Sequence, residues 1–161
     1  QVSLPSDREV RVTRQFKAPR ALVYRAHTEP ALIQRWMLGP PGWSMPVCEM
    51  DVRVGGTYRW RWRNDEDGKE FGFFGDFREV VLDARIVHAE MYDPGDVGGA
   101  MPASEPAIVT AEFIEKDGAT TLVTTILFPS KQARDGAVST GMTDGMEMGY
   151  ERLDGMFAKG V

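Results

Sequence analysis

Cysteine, histidine and long apolar runs are scarce in this chain. Cys48 is the only cysteine among 161 residues, so no internal disulfide can form. His27 and His88 are the only histidines. No spacing of His, Cys, Asp and Glu matches a zinc site, so neither a metal nor a cofactor is expected. No apolar run approaches the roughly 20 residues that cross a bilayer. The opening "QVSLPSDREV" has no apolar signal-peptide core. These absences point to a cytoplasmic protein without membrane insertion. Basic charge is also in deficit: 19 Lys and Arg stand against 24 Asp and Glu, a net charge of −5. That argues against a nucleic-acid partner, because phosphate binding needs a basic surface. A G-x-S-x-G elbow, a P-loop and a dinucleotide fingerprint are all missing.

What is present suits one domain, 1–161, with an ordinary core: 42% of residues are hydrophobic. "EVRVTRQF" alternates apolar and polar residues and reads as a strand. "APRALVYRAH" and "TEPALIQRWM" read as two short helices, the second stopped by "GPPG". Strands then dominate. In "GTYRWRWRND", a period of two puts Tyr58, Trp60 and Trp62 on one face and Arg59, Arg61 and Arg63 on the other. The aromatic face is either packed core or the wall of a ligand cavity. A register slip of one residue would instead turn Arg59 and Arg61 inward and make a cavity for anions. Asp93 to Pro106 is the one long loop. Asp117-Gly118 signals a hairpin in which Phe113 faces Leu122, with Val109, Ala111, Phe113, Leu122, Thr124 and Ile126 on the inner face.

The C-terminal segment reads as one long helix, from Ser130 or Gly136 to Lys159. Val138, Met142, Met146, Gly149, Tyr150, Leu153, Met156 and Phe157 share one arc, opposite Asp144, Glu147, Glu151 and Asp154. Glycines recur in it at 141, 145 and 149, each costing roughly 1 kcal/mol relative to alanine. At Gly149 either the helix approaches the sheet closely or the missing side chain leaves space. The element order is strand, two helices, six strands, long helix. That predicts an α+β domain in which a helix lies across a curved antiparallel sheet of about seven strands. One helix cannot fill a strongly curved sheet, and the leftover volume is a cavity.

Four stretches, "FKAPRALVYRAHTEPALIQRWMLGP", "DVRVGGTYRW", "GDFREVVLDARIVHAE" and "GMTDGMEMGYERLDGMF", resemble a known family in the right order. It is the bacterial group similar to the C-terminal domain of the activator of the 90-kDa heat-shock chaperone's ATPase. That group belongs to the START-like, or SRPBCC, superfamily. The resemblance covers about Glu9 to Phe157 and implies the helix-grip fold, with a deep cavity between sheet and last helix. It also implies that large apolar residues at Tyr58, Trp60 and Trp62 face the helix. Two departures stand out. Leu82-Asp83 replaces the Pro-Pro common in the central turn. No counterpart of the eukaryotic activator's additional N-terminal domain is seen, so a chaperone partner is not the expected one.

The residues expected to contact a ligand are Trp36, Trp43, Tyr58, Trp60, Trp62, Phe113, Met142, Met146, Gly149, Tyr150 and Leu153. The Tyr150 hydroxyl either orients the ligand or reaches water as an edge tyrosine. His27 is expected to complement a helix dipole and His88 to face solvent. Cys48, with no evident basic neighbour, is expected to be a small buried residue rather than a nucleophile. The expected function is binding of a small hydrophobic molecule, aromatic or lipid-like, with no assigned catalytic residue. The alternatives are a cyclase or aromatase-like enzyme, and an interaction module such as a chaperone ATPase activator. A homodimer through the sheet edge is open to the chain.

Overall fold

Two residues of positive φ, Asp117 at 54° and Gly118 at 79°, close the last hairpin, the geometry that suits the right-handed twist of its strands. The hairpin joins Ala107–Lys116 and Ala119–Leu127 with Phe113 opposite Leu122, the register expected from the turn. The computed structural model describes residues 1–96 and 105–161. The strands are β1 (Val2–Ser3), β2 (Glu9–Phe16), β3 (Trp43–Met50), β4 (Thr57–Asn64), β5 (Glu70–Val81), β6 (Arg85–Asp93), β7 (Ala107–Lys116) and β8 (Ala119–Leu127). The helices are α1 (Arg20–Thr28), α2 (Pro30–Trp36), α3 (Lys131–Ser139) and α4 (Met142–Ala158). All eight strands form one curved antiparallel sheet in the order β1-β2-β8-β7-β6-β5-β4-β3. The strand beyond the expected seven is the two-residue β1 at the edge. Most of the long loop, residues 97–104, lies outside the described residues.

The C-terminal segment is two helices, not one. Ser130 caps α3 by accepting a hydrogen bond from the Ala133 N–H at 3.0 Å. The helix ends at Ser139, and Gly141 takes a left-handed conformation with φ +82° before α4 starts. A side chain would be strained there, which explains the first of the three glycines. The third, Gly149, has a different reason. A Cβ on it would lie 3.0 Å from the Trp36 carbonyl oxygen and 3.4 Å from the Trp36 ring. The helix therefore approaches α2 rather than the sheet at this point. Tyr150 stacks on Trp36 and meets Phe16 edge-on, with centroids 5.8 and 5.4 Å apart. Trp36 is itself pinned, its indole N–H donating to the Ala26 carbonyl at 2.8 Å.

Charge holds the outer side of the same contact. The Arg14 guanidinium on β2 reaches both Glu147 and Asp154 of α4, at 2.9 and 2.8 Å, and lies over the Phe16 ring. The two carboxylates are seven residues apart and so on one side of the helix. Together they hold the Arg14 pKa above its ordinary value.

Gly149→Leu should lower stability by about 1–3 kcal/mol, because the Trp36 backbone cannot move aside. Gly155→Ala, whose Cβ meets nothing within 4 Å, should instead raise it by up to about 1 kcal/mol. Urea denaturation of both variants checks the pair, and equal signs would contradict the packing described.

Candidate functional site

Strand pairing arranges the concave face in rows. One row is Cys48, Trp60, Phe73 and Tyr92, each opposite the next across β3 to β6. The next begins Met50, Tyr58, Gly75; the same register carries it to Glu90, which faces Ala107 on β7. A third row is Phe77, His88, Val109, Ile126 and Val10. Tyr58 and Trp60 are buried and face α4, whereas Arg59 and Arg63 are exposed on the outer face. Arg61 is held on that side by Glu70 at 2.9 Å and Asp93 at 2.7 Å. The slipped register, with arginines inside, does not occur, and an anion cavity built on them falls with it.

The helix covers this face unevenly. Gly149, Tyr150, Leu153 and Met156 in its C-terminal half are buried, while Met142 and Met146 in its N-terminal half are only partly so. Phe71, Phe73, Trp62 and Tyr92 on the sheet are likewise half-buried. Their rings touch in a continuous chain: Trp62 stacks on Phe71 at 5.5 Å, and Phe73 meets Tyr92 at 5.5 Å. Trp43 caps that chain edge-on against Phe71 at 5.3 Å. The result is a partly covered aromatic surface of the kind small apolar ligands use.

Polar groups interrupt it at three neighbouring rows. Among the described residues, Trp60 Nε1 and His88 Nε2 on this face are buried without a hydrogen-bond partner, as is Nη1 of Arg152 on α4. Most buried polar atoms have one, so two such atoms on one face are notable. The His88 ring packs against Tyr58, Trp60 and Phe77 at 5.0 to 6.1 Å. It faces the interior, not solvent as expected, and burial lowers its pKa to about 4. Between these two rows lies Glu90, flanked on adjacent strands by glycine and alanine. Among the described residues its carboxyl makes no hydrogen bond or ion pair, and burial pushes its pKa up to about 7. Burial disfavours the charged form of each group, which moves the two values in opposite directions. Nothing in the periodicity of "ARIVHAEMY" singles out Glu90; its inward direction follows only once the β6 register is known.

The remaining expected residues divide into two groups. Trp36, Gly149, Tyr150 and Leu153 form the tight contact of α4 with α2 and β2. The Tyr150 hydroxyl faces Thr124 inside the protein, and burial raises its pKa to about 12. Phe113 meets Tyr24 and His27 edge-on at the α1 end of the sheet, at 5.5 and 5.4 Å. His27 does not serve a helix dipole as a cation. Its Nδ1 contacts the Val23 carbonyl oxygen at 2.8 Å, and burial lowers its pKa to about 4. The other group, Trp43, Tyr58, Trp60, Trp62 and Met146, belongs to the aromatic surface or packs beside it. Met142 packs with Ala107, Val109 and Ile126. Cys48 is half-hidden, its thiol pushed up to about 11 by burial. Among the described residues no group of His, Cys, Asp and Glu could hold a metal ion, and no helix is long and apolar enough to cross a membrane.

Residues 17–158 match the model of the family described as activator of Hsp90 ATPase homolog 1-like protein. The chain belongs to this family. Solved relatives agree over nearly the full chain. A Rhodobacter sphaeroides protein superposes with a TM-score of 0.87 at 27% identity, covering 99% of this chain and 98% of its own. A Nitrosomonas europaea protein gives 0.81 at 22% identity, covering 97% of each chain. A Mycobacterium smegmatis protein gives 0.83 at 18%, covering 97% of this chain and 94% of its own. Comparison with curated proteins finds no match. The family and the helix-grip architecture are thus shown.

The buried groups make stability depend on pH in two directions. Between 4.5 and about 7 the folded chain holds the Glu90 proton that the unfolded chain has released, so stability falls as pH rises through that window. His27 and His88 do the reverse: below 6.5 the unfolded chain gains protons that the folded chain refuses down to about 4, so stability also falls as pH drops. Glu90→Gln removes only the first effect. Above pH 7 it should stabilise by up to about 3 kcal/mol, and below pH 4.5 by almost nothing. Urea denaturation at both ends checks this; an equal change at both would mean a solvated carboxyl.

Proposed function

We propose that this protein binds a small, largely apolar molecule, aromatic or lipid-like, on the concave surface of β4 to β6 beneath the N-terminal half of α4. One observation carries the reading: two buried ring nitrogens without partners sit in a half-covered wall of aromatic rings. A dry, finished core would satisfy them, because an unmet buried polar group costs about 1–3 kcal/mol. A ligand with one or two polar atoms would satisfy them and cover the exposed rings. Met142 and Met146 suit the roof of such a site, since thioethers adapt to varied shapes. Membership of the SRPBCC superfamily supports the reading as well, because ligand binding is known in that fold.

Binding of N-phenyl-1-naphthylamine, an apolar dye that brightens away from water, tests the site. Saturable brightening is expected, reduced about tenfold or more in affinity by Trp60→Ala, which removes ring area and the N–H. Unchanged affinity in a variant whose near-ultraviolet circular dichroism is native-like would remove the aromatic wall from the site. A native mass spectrum of freshly purified protein complements it: a mass excess lost on denaturation would be a retained ligand.

A further inference from the structure

We propose that the ligand of this surface carries a positively charged amine, which pairs with the Glu90 carboxylate inside the aromatic wall. The inference rests on the function proposed above and narrows it to a chemical class.

The first argument is room. Gly75 and Ala107 flank Glu90 on the neighbouring strands. No longer side chain could replace Gly75, because a Cβ there would collide with the Ala89 carbonyl oxygen. Of the two carboxylates at inward positions of β4 to β7, Glu115 lies at the strand end and accepts from the Arg20 N–H at 2.8 Å, whereas Glu90 stands beside the two smallest side chains of its row. The Tyr58 hydroxyl, the nearest neutral donor, is already committed to the Ala89 carbonyl at 2.7 Å.

The second argument is charge. A carboxylate half-buried among rings is stabilised by a counter-ion or strong donors, and the described residues supply Glu90 with neither. By register, Arg14 is the only Arg or Lys on the concave face of the described strands, and Glu147 and Asp154 hold it. Arg152 of α4, whose Nη1 is buried without a partner among the described residues, lies seven residues from Gly145, on the side of the helix that meets Gly39 and Pro40 rather than the β6 row. Arg59, Arg61 and Arg85 pair with acids on the outer face. A bound molecule can supply the positive charge that this part of the concave face lacks. An anionic ligand would meet only repulsion. The rings of Tyr58, Trp60, Phe73 and Tyr92 add to the preference, since aromatic faces attract cations. Trp60 Nε1 offers one donor for an oxygen on the same ligand.

Other groups do not titrate in the same window. Tyr58 on β4 is pushed well above its ordinary value by burial and by the nearby Glu90 and Asp76 charges. His88 stays neutral down to about 4, and burial raises Tyr92. Asp76 of β5 pairs with Arg78 at 3.2 Å. Ala107 and Val109 of β7, and Met142 and Met146 of α4, carry no charge.

Three probes of one shape separate the outcomes: 2-phenylethylamine, 2-phenylethanol and phenylacetate, titrated by calorimetry with protein-observed NMR. Above pH 7 the amine should bind about tenfold or more tighter than the alcohol, with phenylacetate weakest. The amine's affinity should fall as pH drops below about 7, where Glu90 takes up its proton, while the alcohol's should not change. Glu90→Gln should abolish the amine's advantage and leave the alcohol's affinity in place. The inference is overturned if the alcohol binds as well as the amine, or if Glu90→Gln keeps the preference; an apolar site would then still stand. Binding of N-phenyl-1-naphthylamine with no binding of the amine at millimolar concentration also overturns it. Absence of binding by all four compounds overturns both the amine and the site. If the variant does not fold, the pH series on the unaltered protein decides: an amine affinity that stays flat across pH 7 overturns the pairing with Glu90.

Discussion

Gly149 allows α4 to come against the Trp36 backbone, and the rest of the concave side depends on that approach. The contact is narrow and heavily determined. Trp36 is tied to Ala26 through its indole N–H, Tyr150 is stacked on it, and Phe16 closes the other side. Arg14 then holds the helix from outside by two carboxylates. Packed interiors adjust little to a misplaced backbone, so the C-terminal half of α4 has one seat. A straight helix seated at one end of a curved sheet leaves the other end uncovered. That is where Met142, Met146 and the half-buried rings of β4 to β6 lie.

The same geometry explains why the polar groups sit where they do. In the tightly packed half, Thr120 donates to the Ala18 carbonyl at 2.7 Å and the Tyr150 hydroxyl faces Thr124, and the one unmet buried group among the described residues there is Arg152 Nη1 on α4. In the loosely covered half, Trp60 Nε1 and His88 Nε2 have no partner and Glu90 no counter-charge among the described residues. Polar groups that a fold leaves unmet on a concave surface are the ones a ligand can use. The division between a closed end and an open end is the physical content of the functional proposal.

Sequence periodicity alone made most of the architecture legible. The alternation in "TYRWRWR" separated an aromatic face from an arginine face, and Asp117-Gly118 set the β7–β8 register. Both are local signals, carried by backbone geometry within a few residues. The order of elements was readable for the same reason. The candidate site was legible in part. Trp60, Trp62 and Met146 emerged from their patterns, whereas Glu90 and His88 did not. In "ARIVHAEMY" both faces carry apolar and polar residues, so the pattern cannot say which face is inner. The break at Gly141 was also missed, because an apolar arc can run on through a change of helix.

By itself the sequence determined seven of the eight strands, the two N-terminal helices, the two faces of β4 and the membership of a family whose motifs span the chain. These follow from local geometry, which each short stretch contains in full. Only the tertiary structure decided that Gly149 serves a helix–helix contact, that Tyr150 is committed to the core, and that Glu90 is half-buried beside aromatic rings. Each of those depends on groups brought together from distant parts of the chain: Trp36 with Gly149, Thr124 with Tyr150, and Gly75 and Ala107 with Glu90. Burial and partnership belong to the assembled neighbourhood, and the chemistry of a carboxyl or an imidazole is set by that neighbourhood.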